Sequence, residues 1–158
     1  MKNKIETYFK ISNLIEDVFD SEETEIATKI FRSSLKSGKE LKNVMYFFHN
    51  LLGHLNDYCK AGELRNYPVF VGGIESLDHT RIECELEKLF EVDPKTLDDI
   101  KKWHISFEEI HPFGDGNGRV GRMLMLLQLK RNKIDIPEIF LDEKNFDSNR
   151  IKYYKWFK

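Results

Sequence analysis

Apolar side chains along this chain recur mostly at spacings of three and four, the signature of helices that bury one face. Leu41, Val44, Met45, Phe48, Leu51, Leu52, Leu55 and Cys59 carry the pattern most cleanly and predict a helix over about residues 41–59. Before it, Asp20 and Ser21 are cap candidates, Glu23 stands three residues after Asp20 as in a capping box, and Ile26, Ile30 and Phe31 lead to a stop at Gly38. Ile5, Tyr8, Phe9, Leu14, Ile15 and Phe19 predict an amphipathic helix over about 4–18. Ile82, Leu86 and Leu89 predict another over about 78–90. Asp93-Pro94 then reads as a cap and first turn, opening a helix over about 94–110 with Leu97, Ile100, Trp103, Phe107 and Ile110. Val120, Met123, Leu124 and Leu127 lie in a segment apolar on every side, which predicts a central, buried helix. Asp147 or Ser148 is a candidate cap for a last helix containing Ile151, Tyr154 and Phe157. The one strand signal is short: Pro68-Val69-Phe70-Val71 before Gly72-Gly73 predicts a small hairpin or flap. The fold class is therefore all-α with a small β-hairpin.

Composition narrows this picture. The 158 residues, 41% hydrophobic and 13% aromatic, suffice for one packed core, so a single domain over 1–158 is expected. Basic and acidic residues, 25 and 27, are interspersed to a net charge of −2, leaving no basic field to track a nucleic-acid backbone. Cys59 and Cys84 lack a C-x-x-C spacing, which fits thiols in a reducing compartment better than a disulfide or zinc scaffold. No apolar run is long enough for a membrane span, and the first residues lack a signal-peptide core, so the expectation is a cytoplasmic protein without a membrane partner.

The candidate chemistry lies in residues 111–122, HPFGDGNGRVGR, between two predicted helices. Glycines can turn successive backbone N–H groups toward one point, and a helix start adds unpaired amides and partial positive charge, so the segment attracts phosphate. Arg119 and Arg122, three residues apart, are expected to pair with phosphate oxygens near that helix start. Asp115 offers the single carboxylate that magnesium uses beside phosphate and water oxygens. His111 is placed to take a proton from an attacking hydroxyl. Gly116, Gly118 and Gly121 also satisfy G-x-G-x-x-G, but the preceding WHISFEEI has helical rather than strand spacing, which argues against a dinucleotide fold. No Gly-Lys-Ser or Gly-Lys-Thr occurs, so the Walker pattern is absent.

The segment resembles the signature of the Fic (filamentation induced by cAMP) domain family, H-x-F-x-[D/E]-G-N-G-R-x-x-R. His111, Phe113, Asp115, Gly116, Asn117, Gly118, Arg119 and Arg122 fill every fixed position. AGELR at 61–65, VFVGG at 69–73, the helix containing His104 and Phe107, and more weakly the closing YYKWF are similar to the surroundings of such domains. The resemblance implies transfer of AMP from ATP, with Mg2+ as cofactor, to a hydroxyl of a target protein. By position His111 would be the general base and Asp115 the metal ligand. Asn117 and the amides of Gly116 and Gly118 would hold the α-phosphate, Arg119 and Arg122 the β- and γ-phosphates, and Phe113 would anchor the loop. The family's kinase-like branch departs from the G-N-G core, which this chain retains.

Ser12-Asn13-Leu14-Ile15-Glu16-Asp17 resembles the family's inhibitory helix, [S/T]-x-x-x-E-[G/N], with Asp17 in place of the usual glycine or asparagine. The resemblance implies that Glu16, with Ser12 in the motif, pairs with Arg122 and obstructs the γ-phosphate. It likewise implies a target-docking flap at Val69, Phe70 and Val71, working by strand addition. His49, His54 and His104 are read as structural. The target protein, its modified residue, the nucleotide preference and any homo-oligomer stay open, as do two other functions: removal of AMP at the same site, and a nucleotide-sensing or toxin-antitoxin interaction module with little catalysis.

Overall fold

A computed structural model describes residues 3–158. Helix α1 (Lys4–Ile15) opens under the Asn3 side chain, which accepts from the Ile5 N–H. It stops three residues short of the expected end because Asp17 takes a left-handed backbone, φ 56°, and Val18 N–H turns back to Asn13 O. Helix α2 (Ser21–Ser37) begins and ends as its sequence predicts, with Asp20 as cap and Gly38 in the left-handed conformation. Glu23 does not complete a capping box. It turns inward, where its Oε1 accepts from the Gly53 N–H at 2.6 Å.

Helix α3 (Leu41–Leu51) ends eight residues before the predicted boundary, and the chain runs irregularly from there to the hairpin. Periodicity had correctly marked Leu52, Leu55 and Cys59 as inward-facing, since all three are partly buried. Amides between them are the reason that no helix forms: Gly53 N–H goes to Glu23 and Asn56 N–H to Asp115, partners that a helix would have denied them. Strand β1 (Phe70–Val71) pairs antiparallel with β2 (Ile74–Glu75), Phe70 opposite Glu75 and Val71 opposite Ile74. Gly72 and Gly73 both have positive φ, as a two-residue turn of this kind requires.

Helix α4 (Ile82–Glu91) follows a short 3-10 turn whose cap is Asp78. Helix α5 (Leu97–Ile110) is capped by Thr96 through Asp99 N–H, three residues past the Asp93-Pro94 start read from the sequence. Helix α6 (Asn117–Arg131) is buried at every position from 119 to 129, as its composition predicts. Helix α7 (Phe146–Tyr154) is entered through a 3-10 turn capped by Asp142, so neither Asp147 nor Ser148 caps it. Its packed residues are Asn149 and Tyr153, while Ile151 and Tyr154 face outward.

The result is an all-α fold with one small hairpin, in which α1, α2, α3 and α5 pack around α6. An aromatic layer of Tyr8, Phe9, Phe31, Phe140 and Tyr153 fills the space beside it. No helix among the described residues is long and apolar enough to cross a membrane. Helix α5 leaves no room for a side chain at Gly121 of α6, where a β-carbon would meet Glu108 Oε1, His104 Cε1 at 2.9 Å and Phe107 Cδ1 at 3.1 Å. Gly121→Ala is therefore expected to destabilise the fold by about 1–3 kcal/mol through overpacking, measured by urea denaturation. An unchanged midpoint would show that the two helices can part without cost.

Candidate active site

The motif spans the joint between α5 and α6. Helix α5 terminates at His111, whose left-handed backbone, φ 49°, directs the chain sideways into the loop. A non-glycine residue adopts that conformation only when its surroundings hold it there. Arg65 does so, donating from Nε to His111 O at 2.6 Å and from Nη2 to Ile110 O at 3.2 Å. The imidazole Nδ1–H donates to Glu108 O at 3.2 Å, which leaves Nε2 with its lone pair free. Burial pushes the His111 pKa below its ordinary value and Arg65 adds to that, against the opposing pull of the Glu108 carbonyl, Glu16 and Asp115. The residue is thus a neutral imidazole in the form that can accept a proton.

The rest of the loop is braced from below. Phe113 is fully buried and stacks on His49, ring centroids 3.8 Å apart. Asn117 closes a two-way clasp with Phe113, its Oδ1 accepting from the Phe113 N–H and its Nδ2 donating to Phe113 O, both at 2.9 Å. His49 accepts from Gly62 N–H on Nδ1, so its Nε2–H donates to Asp115 O at 2.9 Å. The Asp115 carboxylate is aimed by two amides, Gly116 N–H on Oδ1 and Asn56 N–H on Oδ2. Gly116, φ 80°, opens α6 with no side-chain cap, and the residues Asn117 and Gly118 of its first turn line a cavity.

That cavity, about 700 Å³, is also lined by Glu16, Glu108, His111, Asp115 and Arg122 and reaches the flap at Val71 and Ile74. A smaller cleft of about 380 Å³ beside α4 contains no motif residue. Arg122 is 1% exposed and uses its whole guanidinium: Nε to Ser12 Oγ, Nη1 to Tyr153 OH, Nη2 to Ser12 O and to Glu16 Oε1 at 2.7 Å. Burial opposes its charge, yet its neighbours, Glu16 first among the carboxylates, hold it above its ordinary range. The Glu16 side chain remains 38% exposed at the cavity wall. Desolvation works against its carboxylate and Arg122 outweighs that, leaving its pKa lowered. A β-carbon on Gly118 would strike Glu16 Oε1, so this carboxylate lies directly over the first turn of α6.

Two motif residues do not stand where the sequence reading put them. Arg119 is absent from the cavity wall: its guanidinium turns to α2, pairing with Glu23 at 3.3 Å and donating to Gly53 O and His54 O. Three residues of helix leave two side chains about 60° apart around the axis, here enough to place one on the cavity and the other in the core. The Asn117 amide is likewise committed to the loop, so only its backbone is offered to the cavity. In the flap, Val71 lines the cavity and Phe70 is 65% exposed, whereas Val69 is a hairpin base whose carbonyl accepts from Ser76 N–H.

Sequence reasoning passed over four contributors. Arg65 stood inside the AGELR segment without a role, and His49 was read as structural with no hint that it supports the loop. Asn56 acts through its backbone, which leaves no side-chain signal. Glu108 lies on α5 beside Arg122; its Oε1 is sealed from solvent without a partner, and burial raises its pKa to about 8, with Arg122 pulling the other way and Glu16 pushing further up. His104 donates nothing to chemistry: it bonds Tyr153 OH at 2.8 Å, and burial followed by Arg122 lowers its pKa to about 3.

With this geometry, the family comparison is decisive. The Fic/DOC family profile matches residues 40–129, more than half of the sequence. The chain belongs to the Fic/DOC family. The match contains α3, the hairpin, α4, α5, the loop and nearly all of α6, and so most of the cavity lining; Glu16, Tyr153, Tyr154 and Phe157 complete it from outside the match. Among curated Fic relatives, the chain is 30% identical over 148 residues to "Protein adenylyltransferase Fic" of Drosophila virilis, covering 85% of this chain and 28% of that protein. It is 29% identical over 148 residues to the protein of the same name from Drosophila grimshawi, with coverage of 85% and 28%. The chain thus spans somewhat over a quarter of the length of these relatives.

Arg119→Ala would leave Glu23 buried without its cation, and a loss of about 3–5 kcal/mol is expected in chemical denaturation. A near-neutral result would mean that the pair is not a structural clamp. Glu108 binds a proton in the folded chain between its ordinary 4.5 and about 8, so its contribution falls as pH rises through that window. Glu108→Gln is expected to flatten the decline, read from unfolding midpoints across the same range; a decline as steep as before would contradict the buried neutral acid.

Proposed function

We propose that this chain is a protein adenylyltransferase, moving AMP from ATP to a hydroxyl of a target protein, with Glu16 restraining the reaction. The observation that carries the reading is the convergence of a neutral His111, the aimed Asp115 carboxylate, the uncapped start of α6 and Arg122 on one cavity. The relatives' name supports the same reaction.

In this reading the triphosphate lies along the first turn of α6, where amides and helix dipole favour its charge. Arg122 takes the terminal phosphate. Asp115 fits a magnesium ion by its chemistry: one oriented carboxylate on a cavity that must also hold phosphate oxygens is the donor set this metal uses. When bound, the ion would neutralise phosphate charge. His111 Nε2 removes the proton of the target hydroxyl as its oxygen bonds the α-phosphorus; the bond to the bridging oxygen breaks and pyrophosphate leaves. The exposed apolar hairpin side chains, Phe70, Val71 and Ile74, are placed to receive an extended target segment on the edge of the flap.

Glu16 and a terminal phosphate compete for the same guanidinium, so each weakens the other's hold. Helix α1 is anchored by Tyr8, Phe9, Ile11 and Ile15 in the core, with Tyr8 OH bonded to Arg122 O. Release therefore involves the Glu16 side chain at the end of α1 rather than departure of the helix. A second reading, removal of AMP from a modified protein, is favoured by one feature: the Glu16 carboxylate shares the cavity with His111 and could orient a water there. Incubation with an adenylylated target separates the two directions.

With magnesium and labelled ATP, Glu16→Gly is expected to raise transfer to protein, and adding His111→Ala to lower it by about 10²–10⁴-fold. The rate should fall as pH drops and His111 gains its proton, with the fall centred below the ordinary histidine value. Nucleotide binding without any labelled protein in the Glu16→Gly variant would refute the transferase.

A further inference from the structure

Arg65 is buried, yet among the described residues no carboxylate comes within ion-pair distance of it. Its guanidinium serves four backbone carbonyls instead: His111 O at 2.6 Å from Nε, Tyr67 O at 3.1 Å from Nη1, and Leu77 O at 2.6 Å and Ile110 O at 3.2 Å from Nη2. Its backbone N–H adds a fifth tie, to Pro112 O at 2.9 Å. Tyr67 and Leu77 flank the hairpin on either side, while Ile110, His111 and Pro112 are the end of α5 and the entry to the loop.

We propose that Arg65 is a positioning residue of the transfer reaction, fastening the catalytic base and both feet of the target-docking flap to a single rigid guanidinium. The inference rests on the function proposed above, because it takes His111 as base and the hairpin as the target's docking edge. A planar fork with five N–H donors at fixed angles can hold two chain segments in register, whereas a lysine ammonium on a flexible stem cannot reach four carbonyls at once. The tie at His111 O also secures the left-handed turn that presents the imidazole. A cation placed there, with Asp78 and Glu75 acting on it only from beyond ion-pair distance, discourages protonation of the imidazole, together with burial and against Glu16 and Asp115, the carboxylates that face His111 from the end of α1 and from the loop, and the Glu108 carbonyl on α5. Placing the hydroxyl carrier and the base on one support reduces the geometric error between them, which is where small displacements cost most.

The test uses the full chain with Glu16→Gly, alone and with Arg65→Lys or Arg65→Gln. Both substitutions are expected to lower kcat by about a hundredfold and to raise KM for the target, with affinity for magnesium-ATP unchanged. Arg65→Gln, which loses the charge, is expected to move the acid limb of the pH–rate profile upward; Arg65→Lys, which keeps it, should move it less. Two readouts are independent of turnover: NMR titration of the His111 imidazole, and amide hydrogen exchange in residues 69–76 compared with α6. The expected results are an upward-shifted imidazole titration in Arg65→Gln and faster flap exchange in both variants. If Glu16→Gly transfers no AMP, the function reading has failed, and the titration and exchange still decide the tether. If Arg65→Gln does not fold, Arg65→Lys decides it. Wild-type exchange with wild-type kcat in a folded Arg65→Lys chain, or an activity loss that merely follows the folded fraction, overturns the proposal.

Discussion

A guanidinium sealed inside a small protein must satisfy its donors with carbonyls or an anion, and the arrangement of this chain depends on how Arg122 meets that requirement. Its donors reach α1 through Ser12 and Glu16 and α7 through Tyr153, so three helices distant in sequence meet at one charge. Losing a carboxylate from such a cation is costly unless another anion replaces it. Glu16 and Tyr153 are the partners at the cavity wall, and of the cluster Glu16 alone has substantial exposure. The fold therefore presents an internal acid beside the first turn of α6 and leaves it open to the cavity.

Around that charge, preorganisation comes from backbone groups more than from the motif. The irregular stretch after α3 gives up helical hydrogen bonds so that Gly53 and Asn56 amides can reach Glu23 and Asp115. His49 adds its ring beneath Phe113 and its Nε2–H to Asp115 O. Arg65 pins the turn at His111 and the hairpin beside it. These supports keep the loop's carboxylate and imidazole aimed at the cavity, which in the proposed reaction would lower the reorganisation that transfer of a charged group requires.

Buried ionic groups are divided between two purposes on α6. Arg119 and Arg122 belong to one signature, but the first joins Glu23 and two carbonyls in the core while the second faces the cavity. Glu108, sealed between α5 and α6 without a hydrogen-bond partner for Oε1, meets the same problem by keeping its proton. A carboxylate that cannot be paired is neutralised, and a guanidinium that cannot be neutralised is held by carboxylates or by backbone carbonyls.

The sequence by itself determined the helical class, the buried central helix, the glycine turn of the hairpin, the caps of α2, and the motif at 111–122, seven of whose residues line the cavity. Each follows from local rules: periodicity, positive-φ glycines, capping side chains, and a motif contiguous along the chain. Tertiary structure alone decided where α3 stops, that Glu23 abandons a capping role, that Arg119 and the Asn117 amide serve the scaffold, and that Arg65, His49 and Glu108 stand around the loop. Most of those outcomes depend on partners distant in sequence, as with Glu23 to Gly53, 30 residues away, and to Arg119, 96 away. A hydrogen-bonding group chooses among competitors that only the folded chain brings within reach, and linear spacing has no means of ranking them.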